Sequence, residues 1–305
     1  MADLNNILQR LEPSLGPRSG TPAPLSGGIT NRNFRATLGG REYVIRQPGK
    51  DTALLGIDRG AERVAADAAA ELGIAPAVAA ELDDCLVTEF IACSPLQGQE
   101  LQSRVEEVAR ALRAFHHCPV ILPARFWVAD LLGEYAGIIV DRGAALPDAY
   151  AEASAIAREV GAVVALERPR PCHNDLLAGN IIRARGDGRL LLVDWEYAGM
   201  GHPYFDLGNL SINNGFEEGT DERLLNAYHG RPPSRRERAT LALMRLMSDA
   251  REAAWGVVQQ SISELDFDFE GYAAKHFERL LEAAGRPTYA EWLTVAGGDV
   301  GGQTA

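Results

Sequence analysis

A short polar motif beside a predicted β-hairpin constrains this chain more than any other feature of its sequence. His173, Asp175 and Asn180 follow one another closely, an apolar segment begins after Asn180, and a second apolar segment ends at Asp194. The glycines on either side of Asp187 indicate a turn between these segments. With the turn centred on Asp187, we expect Asn180 and Asp194 to face each other across an antiparallel ladder, with Cα atoms about 4.5–5.5 Å apart.

These side chains match what phosphoryl transfer requires of a protein. One residue must orient the attacking hydroxyl and accept its proton, and oxygen ligands must hold the Mg²⁺ on the nucleotide phosphates. The order H-x-D-x-x-x-x-N, followed by an Asp at a strand end, is typical of kinases. It predicts Asp175 as the catalytic base and Asn180 and Asp194 as Mg²⁺ ligands, with ATP as the donor. The alternative is an ordinary hairpin whose Asn and Asp are turn residues.

Composition and charge limit the classes of protein to consider. The chain has 305 residues, of which 46% are hydrophobic and 24% charged, as in a soluble protein with one large domain or two lobes. A formal net charge of −12 argues against nucleic acid as a partner and permits a cationic small substrate. The four cysteines form no zinc-binding or disulfide pattern. Because no apolar run approaches the ~20 residues of a membrane span and no secretory signal is visible, we expect a cytoplasmic protein without stable membrane insertion.

The N-terminal part of the sequence predicts a small antiparallel sheet with one helix across it. Asp58 is a suitable N-cap for that helix. Alternation along the third strand places Tyr43 and Ile45 on one face and Val44 and Arg46 on the other. The predicted elements are a leading helix at 4–15, two strands around a glycine-rich turn within 25–38, further strands at 41–47, 78–80 and 85–90, and a helix at 58–72.

After residue 91 the pattern becomes mostly helical, with the polar hairpin embedded in it. The chain is therefore predicted to be α+β and bilobal, with a nucleotide in the cleft between the lobes. Helices are expected at 101–118, at 151–166 and through most of 221–284. The predicted domains are an N-terminal nucleotide-binding lobe at 1–91, a C-terminal catalytic and substrate lobe at 92–296, and a disordered tail at 297–305.

A glycine-rich turn precedes the second predicted strand. Gly27 and Gly28 would let the backbone approach a ligand closely and turn its N–H groups toward phosphate oxygens. Thr30 and Asn31 add side-chain donors beside them. We expect these four residues to bind the nucleotide, the alternative being a simple hairpin turn.

A cation on the third strand is a second candidate phosphate ligand. Arg46 would present a permanent positive charge, suited to bidentate phosphate contact, if its face of the sheet lines the cleft. Glu62, near the start of the following helix, is the natural partner to orient it. The alternative is a solvated Arg46, with Glu62 favouring the helix dipole. At the join between lobes, Glu89 and Ile91 would bind adenine through backbone groups.

Together these motifs resemble a known family. The loop G-G-I-T-N at 27–31, the strand cation, the catalytic motif, D-W-E-Y at 194–197 and F-D-L-G-N at 205–209 resemble choline/ethanolamine kinases. That family lies within the aminoglycoside phosphotransferase/choline kinase superfamily. The resemblance spans roughly residues 25–285. It implies a protein-kinase-like fold, with a small β-sheet lobe and a larger helical lobe, and transfer of the ATP γ-phosphoryl group to a small amino alcohol.

The resemblance also implies an acceptor site. Glu196 and Tyr197 lie just after the predicted metal ligand, and Trp255 matches one of the tryptophans that contact choline in that family. Aromatic faces bind quaternary ammonium groups through cation–π attraction. Glu252 stands where eukaryotic members often carry a second tryptophan, and Asn213 where they carry a glutamate. Both departures bear on whether the pocket accepts a quaternary ammonium.

Two further residues are expected to support the catalytic loop, and other functions stay open. We expect His173 to hold the catalytic turn and Asp206 to accept backbone hydrogen bonds beneath it. The alternatives are an aminoglycoside or other small-molecule phosphotransferase on the same fold, and an inactive pseudokinase-like binding protein. Intact Asp175, Asn180 and Asp194 argue against the inactive protein. The pattern contains no information on oligomeric state.

Overall fold

A computed structural model of the chain shows an N-terminal antiparallel sheet followed by a mainly helical region. It describes residues 4–25, 31–49, 51–82, 85–263 and 265–298. This arrangement confirms the predicted bilobal α+β fold. Within these residues, no helix is long and apolar enough to cross a membrane.

The small lobe is built on a five-stranded antiparallel sheet with strand order β1-β2-β3-β5-β4. Its elements are α1 (Leu4–Leu15), β1 (Arg18–Leu25), β2 (Asn31–Leu38), β3 (Arg41–Pro48), α2 (Arg59–Glu71), β4 (Val78–Leu82) and β5 (Cys85–Glu89). The two faces of the sheet differ as the alternation along β3 predicts. Tyr43 and Ile45 are buried beneath α1, whereas Val44 and Arg46 line the cleft between the lobes. As predicted, Asp58 caps α2, because its side chain accepts a hydrogen bond from the Ala61 N–H at 2.9 Å.

The large lobe surrounds the 28-residue helix α9, which contacts α5, α6, α7, α10 and α11. Its apolar side chains interdigitate with those of its neighbours in one continuous core. The elements of this lobe are β6 (Cys93–Pro95), α3 (Gly98–Ser103), α4 (Val105–His116), α5 (Val128–Asp141), α6 (Asp148–Val163), β7 (Arg170–Cys172), β8 (Ile181–Ala184), β9 (Leu190–Leu192), β10 (Gly199–Gly201), α7 (Pro203–Asn213), α8 (Glu218–His229), α9 (Arg235–Ile262), α10 (Phe269–Ala284) and α11 (Pro287–Gly297).

Several predicted boundaries differ from the structure. The helix expected at 101–118 is two helices, α3 and α4, that meet at Arg104. Strand β1 begins at Arg18, well before residue 25. The prediction missed its first residues because this exposed, proline-containing sequence lacks the alternation that marks a strand. Helix α5 was not predicted. Helix α11 extends through Gly297, the first residue of the predicted tail, and residues 299–305 lie outside the described ranges.

The register of the hairpin formed by β8 and β9 was predicted wrongly by one residue. Ile181 pairs with Leu192 and Ile182 with Leu191, so Asn180 lies opposite Val193 rather than Asp194. The Val193 N–H accordingly donates to the Asn180 carbonyl at 2.9 Å. Asp194 then adopts a left-handed backbone conformation with φ 69°. That turn brings its side chain back beside Asn180, and both residues line the same cavities.

Candidate active site

The predicted catalytic loop, between β7 and β8, is held from below by Asp206 near the start of α7. Its fully buried carboxylate accepts hydrogen bonds from the backbone N–H groups of His173, at 2.8 Å, and Asn174, at 2.7 Å. The Nε2 atom of His116 contacts the same carboxylate at 2.9 Å. Asn174 has a φ of 64°, which makes the loop turn sharply just before Asp175. Backbone hydrogen bonds to one buried carboxylate therefore fix the position of the predicted base.

His173 lies inside the loop, where both ring nitrogens are used. Nδ1 lies 3.2 Å from the Asp175 N–H, and Nε2 lies 3.0 Å from the Val193 carbonyl. A neutral ring that accepts at Nδ1 and donates at Nε2 satisfies both contacts. Burial lowers the pKa of His173, which favours that neutral form. The ring thus ties the loop to the end of β9, and we assign it no proton transfer.

Asp175 lies at the bottom of the cleft with its side chain directed at two partners. Oδ2 accepts from the Asn180 amide nitrogen at 3.0 Å, and Oδ1 accepts from Nη1 of Arg251 at 3.2 Å. Burial raises the pKa of Asp175 to about 8, although the Arg251 guanidinium opposes this rise. A divalent cation nearby would favour the carboxylate over the acid.

Arg46 connects the small-lobe sheet to the end of the hairpin. The sequence pattern predicts its contact with Glu62 but not its contact with Asp194. Its Nη1 atom donates to Glu62 Oε1 at 3.2 Å and to Asp194 Oδ1. Burial would lower the pKa of Arg46, but Asp194, Glu62 and Glu196 together raise it. The structure therefore places the predicted phosphate-binding cation in contact with a predicted metal ligand.

A second ionic contact joins the lobes through Glu196. The Asn31 amide donates to Glu196 Oε2 at 2.8 Å, and Arg59 Nη1 lies 3.5 Å from the same oxygen. Arg59 also contacts Asn31 at 3.2 Å and Glu62 at 2.6 Å. Burial raises the pKa of Glu196 to about 7. Sequence reasoning missed Arg59, although its position one turn before Glu62 on α2 could have identified it.

The cleft between the lobes contains a cavity of about 350 Å³. Arg46 and Glu62 line one side, Asn180 and Asp194 the other, and Glu89 borders the join between the lobes. Its remaining walls are largely apolar, from side chains that include Leu25, Val44, Leu86, Ile91 and Ile182. A volume in the range of 300–1,000 Å³, apolar walls and a few polar groups are typical of small-molecule sites. Three predicted nucleotide-binding residues, Gly27, Gly28 and Thr30, lie outside the described ranges.

A second cavity, of about 200 Å³, opens on the other side of Asn180 and Asp194. Asp175 and the three predicted acceptor residues, Glu196, Tyr197 and Trp255, all line it. The two cavities therefore meet at the predicted metal ligands, with the predicted base on the side away from the sheet.

The aromatic residues of the second cavity are packed against one another. Trp255 Nε1 donates to the Tyr197 hydroxyl at 2.8 Å, and the Trp255 ring meets Tyr272 edge-on with centroids 5.6 Å apart. Trp255 is 4% exposed. Trp255 therefore orients Tyr197 through its hydrogen bond, and its own indole ring is packed against neighbouring rings.

Arg251 is the main residue of this cavity that the sequence analysis did not identify. Its Nη1 atom donates to Glu252 at 2.8 Å as well as to Asp175, and its guanidinium carbon lies 4.3 Å from the Tyr197 ring centroid. Glu252 is held on its other side by the Tyr272 hydroxyl at 2.7 Å. Asn213 lies away from the cavity lining, with its amide 3.5 Å from the Ser248 hydroxyl.

Comparison with known proteins agrees with this geometry. Residues 21–243 match the family described as phosphotransferase enzyme family. The chain belongs to this family. The predicted resemblance is thereby confirmed, and the phosphotransferase is similar to small-molecule kinases of the choline/ethanolamine group.

Three proteins illustrate the likeness. A structure described as a choline/ethanolamine kinase family protein from Mesorhizobium loti is 29% identical, with a TM-score of 0.79 over 96% of this chain and 98% of that one. Ethanolamine kinase 1 of Mus musculus is 25% identical over 91% of this phosphotransferase and 87% of its own length. Protein LicA of Haemophilus influenzae is 26% identical over 66% of this chain, and the match covers 61% of LicA's own length.

Proposed function

We propose that this phosphotransferase transfers the γ-phosphoryl group of ATP to the hydroxyl of a small amino alcohol such as choline or ethanolamine. One observation carries the proposal: Asn180 and Asp194 lie where a larger cavity meets a smaller one, and Asp175 lines the smaller one together with other charged and aromatic side chains. A donor in the first cavity and an acceptor in the second would react across the shared metal ligands.

Asp175 acts as the base. It orients the acceptor hydroxyl and takes its proton as the oxygen attacks the γ-phosphorus, and the bond from that phosphorus to the bridging oxygen of ADP breaks. Because such a transition state is stabilised mainly by positioning and by charge, the protein needs few reacting groups. The hydrogen bonds from Arg251 and Asn180 hold the carboxylate at the edge of the second cavity, which we call the acceptor cavity.

Asn180 and Asp194 provide a donor set suited to Mg²⁺. The Asn180 amide nitrogen is used by Asp175, at 2.8 Å to its carbonyl and 3.0 Å to its side chain, so Oδ1 is the end available to a cation. One amide oxygen and one carboxylate match the few protein oxygens that Mg²⁺ takes when nucleotide phosphates complete its shell. The ion would supply positive charge at the γ-phosphate.

The remaining predicted residues would hold the two substrates. Arg46, oriented by Glu62, would bind the phosphates together with the predicted nucleotide-binding residues of segment 27–31. Glu89 and Ile91 border the end of the cleft where adenine would contact backbone groups. On the acceptor side, Glu196, Tyr197 and Trp255 line the cavity. The names of the relatives, ethanolamine kinase and choline/ethanolamine kinase, support an amino alcohol as the acceptor.

An aminoglycoside acceptor is a weaker candidate. Such a multi-ring substrate needs a wide site, whereas the acceptor cavity has a volume of only about 200 Å³. A coupled assay that detects ADP formation with a panel of amino alcohols and aminoglycosides would separate the two functions. We expect turnover with at least one small amino alcohol and none with an aminoglycoside.

The role of Asp175 can be tested with Asp175→Asn, a change that keeps the shape of the side chain. Loss of the base should lower kcat by about 10²–10⁴-fold, while ATP with Mg²⁺ should still raise the melting temperature. Asp148→Asn, at an exposed position at the start of α6, is the matched control. Full activity of a folded Asp175→Asn protein would refute the assignment.

A further inference from the structure

The acceptor cavity already contains a cation that belongs to the protein. Arg251 is 2% exposed, and its guanidinium carbon lies 4.3 Å from the centroid of the Tyr197 ring. This is the distance at which cations are attracted to aromatic faces. The described part of the chain contains no hydrogen-bond acceptor for Nε or Nη2 of Arg251. That part of the guanidinium is therefore held by its position over the ring.

The same guanidinium also pairs with the nearby carboxylate of Glu252. Glu252 accepts hydrogen bonds from Arg251 Nη1 at 2.8 Å and from the Tyr272 hydroxyl at 2.7 Å, so each of its oxygens has a partner within the protein. The charge of Glu252 is thus balanced inside the protein, and little of it is left to attract a substrate cation.

A quaternary ammonium and a primary ammonium make different demands on such a cavity. The quaternary group has no N–H and depends on aromatic faces, whereas the primary group can donate three hydrogen bonds. Here the Tyr197 face is covered by Arg251, and Trp255 is packed edge-on against Tyr272 and bonded to Tyr197. Asp175 and Glu196 still border the cavity as hydrogen-bond acceptors.

We propose that Arg251 sets the acceptor specificity, because its guanidinium occupies the Tyr197 face and so makes the cavity select a primary over a quaternary ammonium. The inference rests on the proposed function for its choice of acceptors. Because Arg251 contacts Asp175, replacing it also changes the overall rate. The diagnostic quantity is therefore the preference between the two acceptors, measured as a ratio of affinities or of kcat/KM values.

The test compares wild-type protein, Arg251→Met and Arg245→Met. Arg245 lies on the same helix and is ion-paired with Asp221 at 2.6 Å, outside the acceptor cavity, which makes it a matched control. Calorimetric titration with ethanolamine and with choline, in the presence of ADP and Mg²⁺, gives affinities without turnover. Initial rates with ATP and Mg²⁺ give kcat/KM for the same two acceptors.

We expect wild type and Arg245→Met to favour ethanolamine by about tenfold or more, a factor of the size that one cation–π contact provides. Arg251→Met should shift the preference toward choline by about tenfold or more. Equal or tighter binding of choline by wild type would overturn the proposal, as would an unchanged preference in folded Arg251→Met. If Arg251→Met does not fold, Arg251→Gln and the wild-type preference decide.

The two proposals fail in different ways. Efficient phosphorylation of both acceptors with equal kcat/KM would leave the amino alcohol kinase intact and overturn the role of Arg251. If wild type phosphorylates neither acceptor but Arg251→Met gains choline binding, the proposed substrate is wrong and the role of Arg251 is supported. If neither acceptor binds any of the three proteins, both proposals are overturned.

Discussion

At the scale of single residues, Asp206 shows how one buried side chain positions the predicted catalytic loop. It accepts two backbone hydrogen bonds from the loop, and its other contact is His116, a residue on α4. Each loop N–H lies away from water, so neither has solvent to replace the carboxylate. A charged acceptor with two oxygens meets this need, and a neutral side chain with one oxygen cannot.

Asp206→Asn should therefore leave one buried N–H facing an amide nitrogen. We expect the free energy of unfolding to fall by about 1–3 kcal/mol and kcat to fall more than the affinity for ATP. Chemical denaturation and steady-state kinetics measure the two effects, with the exposed Asp141→Asn as control. An Asp206→Asn protein with wild-type kcat would show that the loop does not need this carboxylate.

At the scale of elements, helix α9 organises the large lobe and carries Arg251, Glu252 and Trp255 into the acceptor cavity. It lies so close to α7 that a Cβ on Gly208 would stand 2.6 Å from the Met244 carbonyl carbon. Its first turn is fixed by a capping box, in which Ser234 and Glu237 exchange side-chain and backbone hydrogen bonds. The cap thus sets where the helix begins.

The cap predicts a pH dependence of stability. Hydrogen bonding to Arg231 is the main cause that lowers the pKa of Glu237 from 4.5 to about 2. Because the folded pKa is depressed, the stabilisation by Glu237 is complete above about pH 4.5 and is lost as pH falls toward 2. Glu237→Gln can keep the hydrogen bond of the cap but removes the charge that pairs with Arg231, so it should lower the free energy of unfolding by about 0.2–1 kcal/mol at pH 7.

Denaturation of wild type and Glu237→Gln across that pH range would measure the difference. We expect the gap between them to narrow steadily below pH 4.5. The exposed Glu134→Gln on α5 serves as control. A gap that stays constant down to pH 2 would mean that the carboxylate charge is not what stabilises the cap.

At the scale of the whole molecule, ion pairs and hydrogen bonds at the cleft connect the two lobes. Arg46 reaches Asp194, and Asn31 and Arg59 reach Glu196, so both contacts end on the segment just after β9. This segment carries a predicted metal ligand and a predicted acceptor residue. The position of the small lobe is therefore linked to the geometry of the site by the same side chains.

Arg59→Met should loosen this connection. It removes one partner from two buried carboxylates, Glu62 and Glu196, and we expect it to lower the free energy of unfolding by about 1–3 kcal/mol. It should also raise KM for ATP, since both lobes line the cleft. Arg63→Met, on the exposed side of α2, is the control. An unchanged KM in Arg59→Met would separate the ion pairs from nucleotide binding.

The sequence by itself determined the features that depend on local spacing. The order of His173, Asp175, Asn180 and Asp194 predicted a shared site, alternation along β3 placed Arg46 toward the cleft, and Asp58 marked the start of α2. Each depends on strand or helix periodicity, or on a capping preference, over a few residues. Sequence therefore determined the class of chemistry and the main outline of the fold.

The tertiary structure alone decided what surrounds that chemistry. Arg251 lies 76 positions from Asp175 in sequence, and Arg59 lies 137 from Glu196, so no local pattern brings either pair together. The observed hairpin register differs by one residue from the predicted one, because packing rather than turn symmetry sets the pairing. The left-handed backbone of Asp194 still brings its side chain to the same site. Helix α9 places Arg251 over the Tyr197 ring and so determines the shape and charge of the acceptor cavity. Only long-range packing determines which side chains share that space.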